Sequence, residues 1–327
     1  MHRSPWAASD LLAAAVGGDG DAFAQLVDSH QPAIQAHCYR LLGSFHDAQE
    51  ATQETMLRAW RSLPSYQGRG PLLHWLYRIA TTTCLMMIRA RSRRPATVND
   101  VSHLEPYPDR LLDELPADGP DPAAEVTRRE SVSLAFITAL QLLPASQRAV
   151  LILRDVLAFP SAEVADILNT SVAAVNSAVQ RARAAVAAGV DGLPPARPLT
   201  DTDRIVLGRF VDAWHRRAID ELAALLHEDV VLRMPPEPVQ VRGRQDVAGF
   251  FATVPAAGRL DVMRLRPTRA NGHLAVAAYL PEEAGAHLAY GVMVMTIGAG
   301  AVETITGFPD RRLFAAFDLP AVLPTDR

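Results

Sequence analysis

The proline- and acid-rich stretch from 96 to 126 limits what this chain can fold into more than any other. Glu105-Pro-Tyr-Pro-Asp109, Leu111-Leu-Asp-Glu-Leu-Pro116 and Asp118-Gly-Pro-Asp-Pro122 place prolines and carboxylates where a packed element would need apolar side chains. Residues 96–130 carry nine acids against three arginines, and a segment that polar cannot bury enough surface to offset its conformational entropy. It is predicted to be an extended linker between separately cored bodies. A second joint, Gly192-Leu-Pro-Pro-Ala-Arg-Pro198, is stiffened by proline, and across it the pattern changes from helical spacing to crowded strand-like runs. The expected organisation is a helical domain over 1–95, the linker over 96–126, a second helical domain over 127–192, a joint over 193–199 and a mixed domain over 200–327. With 327 residues, each domain has enough chain for a core.

The net charge of −4 argues against a uniformly basic nucleic-acid coat. Residues 1–95 carry ten arginines against seven acids, 131–199 five against four, and 200–327 fourteen against sixteen. Nucleic-acid binding must then rest on local patches. Every basic side chain is arginine, which with abundant alanine reads as a coding bias and not as function. Cys38 and Cys84 lie far apart without ligand-like spacing, so no metal is expected and a reduced cytoplasmic setting fits. Leu11-Leu-Ala-Ala-Ala-Val16 is too short for a secretion signal and no run reaches transmembrane length, so no membrane partner is expected.

In the first domain, the run from Asp47 to Trp60 puts Met56, Ala59, Trp60 and Leu63 on one helical side as a core stripe. Asp47, Glu50 and Glu54 line another face with Gln49 and Gln53, followed by Arg58 and Arg61. Acids early in a helix also favour its dipole and stay solvated, which is the plain alternative to a docking face for a basic partner. After the break Leu63-Pro-Ser-Tyr-Gln-Gly-Arg-Gly-Pro71, a second helix carries Trp75, Leu76, Ile79, Ala80 and Leu85 and ends in Arg89-Ala-Arg-Ser-Arg-Arg94 before Pro95. Aromatic side chains beside a glycine-bearing loop and an arginine cluster can stack splayed bases and neutralise phosphates. Trp75 also shares a stripe with Ile79, which suits a core position. In the second domain, Ser161 can cap a helix over 162–168, Asn169-Thr-Ser171 makes a turn, and a longer helix follows over 172–187. Val172, Val175, Val179, Ala182 and Val186 are expected inside, with Ala173, Ser177, Gln180 and Arg181 outside and Asn176 and Arg183 flanking. This spacing suits a helix-turn-helix entering a major groove, although a plain helical hairpin shares the inward valines.

The run Asp47 to Trp60, followed by Trp75-Leu-Tyr-Arg-Ile-Ala80, resembles region 2 of the bacterial extracytoplasmic-function sigma factors, small subunits of RNA polymerase. The segment from Leu143-Pro-Ala-Ser-Gln-Arg148 through Arg183 resembles their region 4. The resemblance implies that Asp47, Gln49, Glu50, Gln53, Glu54 and Arg58 grip a coiled coil of the polymerase core. It implies that Tyr66, Arg69, Trp75, Tyr77, Arg78, Arg89 and Arg91 open the promoter's melting element. It further implies that Ser171, Ala173, Asn176, Ser177, Gln180, Arg181 and Arg183 read the distal promoter element. Gln49-Glu50 departs from the usual Glu-Asp pair, so the grip is expected to be tuned. In that family the linker threads the polymerase's RNA path, and Pro-Tyr-Pro-Asp109 resembles a motif of members with an extra C-terminal domain.

From Thr200, a capping-box-like start, a stripe of Leu207, Phe210, Val211 and Trp214, two further helices and strand candidates after Asn271-Gly272 and Gly298-Ala-Gly300 predict three helices on a curved antiparallel sheet. Leu226-His-Glu-Asp-Val230, Val241-Arg-Gly243 and Gly307-Phe-Pro-Asp310 resemble the SnoaL-like branch of the ketosteroid-isomerase-like fold. The expected fold is therefore multidomain: two all-α domains, a region 2 bundle and a region 4 helix-turn-helix, followed by an α+β cone. Met234, Phe250, Tyr279 and Tyr290, with Met293 and Met295, are candidates for lining an apolar pocket for a small ligand, or are plain core. Asp220 reads as a helix cap, Asp246 as a helix start, and Glu303 as the acid well inside a strand, so neither catalysis nor a cofactor is expected. The expected partners are RNA polymerase core and promoter DNA, with the cone regulating through the acidic linker. A small-molecule isomerase or cyclase, or a ligand sensor, fused to a DNA-binding module is the rival from another class. A conventional transcription factor without polymerase affinity is the third reading.

Overall fold

The computed structural model describes residues 8–66, 68, 70–92, 104–114, 131–189, 197–237, 239–282 and 285–324. The chain divides into two compact units, one comprising Met1–Ala96, Glu114–Ser131 and Phe136–Asp191, the other Thr97–Asp113, Val132–Ala135 and Gly192–Arg327.

The first unit is helical. Its helices Ala8–Val16, Gly20–Asp28, Gln31–Leu42, Phe45–Ser62 and Leu72–Ser92 form a bundle, and Ala145–Leu151, Ser161–Leu168 and Val172–Gly189 form the helix-turn-helix module. Local chemistry sets the boundaries. The Asp19 carboxylate accepts from the Asp21 and Ala22 amides, and the Ser44 hydroxyl accepts from the Asp47 amide at 3.2 Å. Gly43 ends its helix at φ 74°, a left-handed cap that glycine adopts without strain. Ser161 does not cap: its helix starts at Ser161 itself, preceded by Pro160. Asn169 takes φ 49° as the left-handed cap of that helix. The helix Phe45–Ser62 buries mainly small residues, Ala48, Ala51, Thr52, Thr55 and Ala59, while Met56 and Trp60 are only half-buried. Small side chains let the neighbouring helices approach closely. Arg148 is buried and donates to the carbonyls of Leu41, Gln141 and Leu143, and burial lowers its pKa to about 10.

The second unit is a helix-backed curved sheet. Helices Asp201–His215, Ile219–Leu225 and Arg244–Thr253 pack on strands β1 (Leu226–Arg233), β2 (Gln240–Arg242), β3 (Arg264–Ala270), β4 (His273–Pro281), β5 (His287–Gly298), β6 (Ala301–Phe308) and β7 (Val322–Leu323). The order is β2-β1-β6-β5-β4-β3, with β7 on β5. The sheet is mixed, because β1 pairs parallel with β6 while the other pairs are antiparallel. Period-two patterning cannot distinguish the two pairings, and β6 lies beside β1 only after the whole β3–β6 meander has formed. Thr200 and Asp203 form a reciprocal capping box. Arg197 donates to both Asp203 oxygens at 2.7 and 2.8 Å, and this pairing, with the Thr200 bonds, holds the Asp203 carboxyl at about 2. Phe210, Trp214 and Phe251 form the aromatic centre of the core, with Trp214 and Phe251 edge to face at 5.3 Å. Asp220 lies in the first turn of its helix and does not cap it.

Candidate nucleic-acid and partner surfaces

On the helix Phe45–Ser62, Gln49, Glu50 and Gln53 are exposed and Glu54 is half-exposed. Glu54 is paired with Arg58 at 2.6 Å across one helical turn. Asp47 is bound by the Arg91 guanidinium through both oxygens, so two residues assigned by resemblance to different surfaces meet each other. Leu57, 51% exposed, sits one turn beyond Gln53 on the same face. Sequence reasoning missed it: a leucine beside Met56 reads as core, and the available signal was its i+4 and i+7 spacing from Gln53 and Glu50.

On the helix Leu72–Ser92, Arg78 and Arg89 are exposed and Trp75 is half-buried, tilted against Tyr66 at 5.2 Å. Tyr66 donates its hydroxyl to the Gly70 carbonyl at 2.6 Å, which shapes the loop. Arg69 lies outside the described residues. Tyr77 is 7% exposed and belongs to the core of this unit. It meets His37 edge-on at 5.1 Å and Phe159 edge-on at 6.1 Å. Phe159, from the approach to the helix-turn-helix, also lies over His74 at 4.5 Å, and Glu163 approaches His74 at 3.8 Å. A cleft bounded by Tyr66, His74, Trp75 and Arg78 on one side and Phe159, Glu163 and Asp166 on the other runs between the two helical parts. Beneath it, His37 Nε2 is 2.9 Å from the Thr81 hydroxyl, which itself donates to the Tyr77 carbonyl. The histidine must therefore be the donor in that contact. Burial and Arg40 lower its pKa to about 3.

The helix Val172–Gly189 buries Val175, Ala178, Val179 and Ala182 and exposes Ser171, Ala173, Asn176, Ser177, Gln180, Arg181 and Arg183. Val172, expected inside, is exposed. The Ser171 hydroxyl caps this helix by accepting from the Ala174 amide at 3.1 Å. Two outward residues have partners: Arg183 donates twice to Asp155 at 2.8 Å, and Asn176 accepts from Ser161 at 2.9 Å. A short, small-residue face with Gln180 and Arg181 can approach base edges closely.

In the second unit, residues 104–114 of the acidic segment are packed; the sequence predicts an extended linker with its Pro-Tyr-Pro-Asp stretch as the contact of the cone, and the rest of the linker lies outside the described residues. Residues Glu105–Asp109 are buried, and a helical turn Asp109–Asp113 follows. The Asn271-Gly272 turn receives them. Asn271 Oδ1 accepts from the Tyr107 amide at 2.8 Å, the Asn271 amide donates to the Tyr107 carbonyl at 2.9 Å, and Asn271 Nδ2 donates to the Val132 carbonyl at 2.7 Å. Asp109 accepts from the Gly272 amide and pairs with Arg269, both at 2.8 Å. The strap is thus read by backbone as well as by charge, which extended chain permits.

The cone encloses an apolar cavity of about 140 Å³. Met234, Phe250, Tyr290 and Met293 line it; Tyr279 does not, because strand alternation turns it to the other face against Phe314 at 5.0 Å. Met295 and Glu303 line a separate, more polar cavity with Arg197 and His273, and burial and Arg197 lower the His273 pKa to about 4. Among the described residues, no group of three or more metal-ligating side chains occurs and no helix is long and apolar enough to cross a membrane.

Family comparisons match residues 26–94 to Sigma-70 region 2, 133–186 to Sigma-70 region 4 and 207–300 to the SnoaL-like domain. ECF RNA polymerase sigma factor SigG of Mycobacterium tuberculosis is 37% identical over 318 residues, covering 91% of this chain and 84% of the relative. The chain belongs to the ECF RNA polymerase sigma factors. Another relative of this sigma factor is M. tuberculosis SigJ, 33% identical over 227 residues, 67% of this chain and 68% of SigJ. The crystal structure of M. tuberculosis SigJ shares the fold, with a TM-score of 0.60 and 24% identity over 89% of this sigma factor and 97% of that chain.

Proposed function

We propose that the chain directs promoter-specific initiation as a polymerase subunit whose C-terminal cone regulates it by holding the linker. Gln49, Glu50, Gln53 and Glu54 form the docking face for the polymerase core, with Leu57 as its apolar anchor. Tyr66, Trp75, Arg78 and Arg89 engage the melting strand, Tyr77 joining them once Phe159 moves away. Gln180 and Arg181 read the distal element, with Ser171, Ala173 and Ser177 permitting close approach and Asn176 and Arg183 setting the edge of that face.

The observation that carries the regulatory reading is the burial of Glu105–Asp109 on the Asn271-Gly272 turn. The same segment cannot be held there and also threaded through a basic channel, so cone and polymerase bias one linker between two arrangements. Run-off transcription with purified core polymerase tests the reading. The full chain should start transcripts at discrete promoters, and a chain ending at Pro195 should differ several-fold in the amount. Identical output from both would make the cone a passenger.

A further inference from the structure

We infer that the second unit carries a cation site, away from its apolar cavity, where the Glu303 carboxylate and the His273 imidazole hold a small primary-amine cation. Both side chains line a cavity of about 190 Å³, together with Arg197, Leu199, Leu274 and Met295, and it shares no lining residue with the apolar one. His273 opens β4 and is 7% exposed, and Glu303 on β6 is half-buried. Among the described residues, neither side chain has a hydrogen-bond partner. Buried polar groups in native proteins nearly always have one. Arg197 does not supply it, because its guanidinium is committed to both Asp203 oxygens and to the Ile297 carbonyl at 2.7 Å.

Charge determines what kind of molecule fits. Arg197 and Asp203 cancel each other, so Glu303 leaves the cavity with one uncompensated negative charge. Water would satisfy the hydrogen bonds and leave that charge unpaired, whereas a cation with N–H donors satisfies both. His273 suits the same ligand. Burial and then Arg197 lower its pKa to about 4, so at neutral pH the ring is uncharged, does not repel a cation and keeps a lone pair for a donor. The three N–H donors of an ammonium group match two carboxylate oxygens and one ring nitrogen. Leu199, Leu274 and Met295 provide apolar surface for the carbon chain. The volume exceeds that of cavities, roughly 150 Å³, that take up benzene, so an amine of about four to six carbons fits. Gly298 makes room for the carboxylate, since a Cβ there would stand 2.0 Å from Glu303 Oε1 and 2.4 Å from its Cδ. These atoms are the free end of a flexible side chain, so Gly298→Ala should turn the carboxylate away and leave the strand in place.

The test is a titration of full-length protein, ¹⁵N-labelled at histidine, with n-butylammonium, n-butanol and butyrate at neutral pH. The readout is the pair of His273 ring nitrogens, identified by their absence from His273→Gln. Butylammonium should shift them and bind about tenfold more tightly than butanol, and butyrate should leave them unmoved. Glu303→Gln keeps the shape of the side chain and breaks no hydrogen bond within the protein. It should lower the affinity for butylammonium to that for butanol, and Gly298→Ala should lower it about as far, both with unchanged circular dichroism. Butanol or butyrate binding the wild-type protein as tightly as butylammonium, an unmoved His273 signal, or undiminished butylammonium affinity in Glu303→Gln would each overturn the proposal. No polymerase enters the measurement, so its failure would leave the sigma reading standing, and failure of transcription would leave the cation site standing.

Discussion

The helices Leu72–Ser92 and Val172–Gly189 both carry side chains proposed to meet promoter DNA, yet one is covered and the other open. Along Val172–Gly189 every proposed reading residue is exposed, and its two internal partners, Asp155 and Ser161, lie at the side of that face. On Leu72–Ser92 the proposed base-stacking Tyr77 lies under Phe159 and against His37, and Trp75 leans on Tyr66. The Phe159 ring thus lies beside the side chain proposed to stack on a base. On the proposed assignment, distal reading needs no rearrangement within this unit, whereas melting requires the Phe159 contact to open. Docking on polymerase is the step that can supply the free energy for opening, since a partner shifts an equilibrium only by its differential affinity for the two arrangements.

The largest expected effect removes that step. Reversing charge with Glu50→Arg and Glu54→Arg together should abolish co-purification with core polymerase while circular dichroism stays unchanged, because both residues lie on the outward face of their helix. Retained binding would mean that something other than docking opens the covered surface. Next in size is a direct attack on the cover. Phe159→Ala should cost about 3–5 kcal/mol as a buried aromatic truncation and raise hydrogen exchange along 72–92. Arg181→Ala should alter stability by less than about 0.5 kcal/mol while losing about 1–3 kcal/mol of promoter discrimination. If both variants behaved alike in denaturant, the contrast between covered and open surfaces would fail.

How far this contrast could be read from sequence follows from the range of the interactions. The inward stripe of Val175, Val179 and Ala182, the left-handed Asn169 and the Thr200 capping box are local patterns, and each was legible. The burial of Tyr77 was not, because its cover comes from a different helical segment and no periodicity within 72–92 encodes it. Leu57 was hidden for the converse reason: it looks like core and is half exposed. The parallel β1–β6 pairing and the exclusion of Tyr279 from the cavity depend on strand order and on which face the helices cover. The linker motif was recognisable as a contact, but its dense hydrogen bonding to Asn271 was not, since an Asn-Gly pair reads equally well as an ordinary hairpin turn.

Acid should act on the two units over different ranges. His37 has its pKa lowered from 6.5 to about 3, chiefly by burial and then by Arg40, and His273 from 6.5 to about 4, chiefly by burial and then by Arg197. Between 6.5 and those values the unfolded chain binds the proton and the folded chain does not. Stability from these groups is therefore full above 6.5 and falls as pH decreases, by up to about 1.4 kcal/mol per pH unit for each histidine. His30 and His215, also lowered by burial, act in the same direction. Asp203, held at about 2 by Arg197 and Thr200, adds its own loss only below its ordinary value of 3.8. His37→Gln should flatten the pH dependence of the helical unit's denaturant midpoint between pH 6 and 4 and leave that of the cone unchanged. A slope as steep in the variant as in the parent chain would place the titrating group elsewhere.

The smallest effect concerns a third kind of surface, one covered by the chain's own linker. Asn271→Gly keeps the turn, because φ is 56° and glycine adopts that conformation freely. It removes the two side-chain hydrogen bonds to the Tyr107 amide and the Val132 carbonyl, leaving the backbone bond to Tyr107 and the Asp109 contacts to Gly272 and Arg269. Losing these bonds should weaken the strap by about 1–3 kcal/mol, the range for buried polar groups left without partners. Exchange of the Tyr107 amide should then accelerate about ten- to a hundredfold, while amides of β4 and β5, bonded within the sheet, keep their protection. If polymerase and cone draw on the same segment, as proposed, whatever the cone loses in holding it, polymerase gains, up to the same factor in affinity. Asn271→Gly should therefore tighten binding to core polymerase, measured by fluorescence titration, and the chain ending at Pro195 should tighten it at least as much. Faster exchange at Tyr107 without any gain in polymerase affinity would show that the strap stabilises the cone and takes no part in regulation.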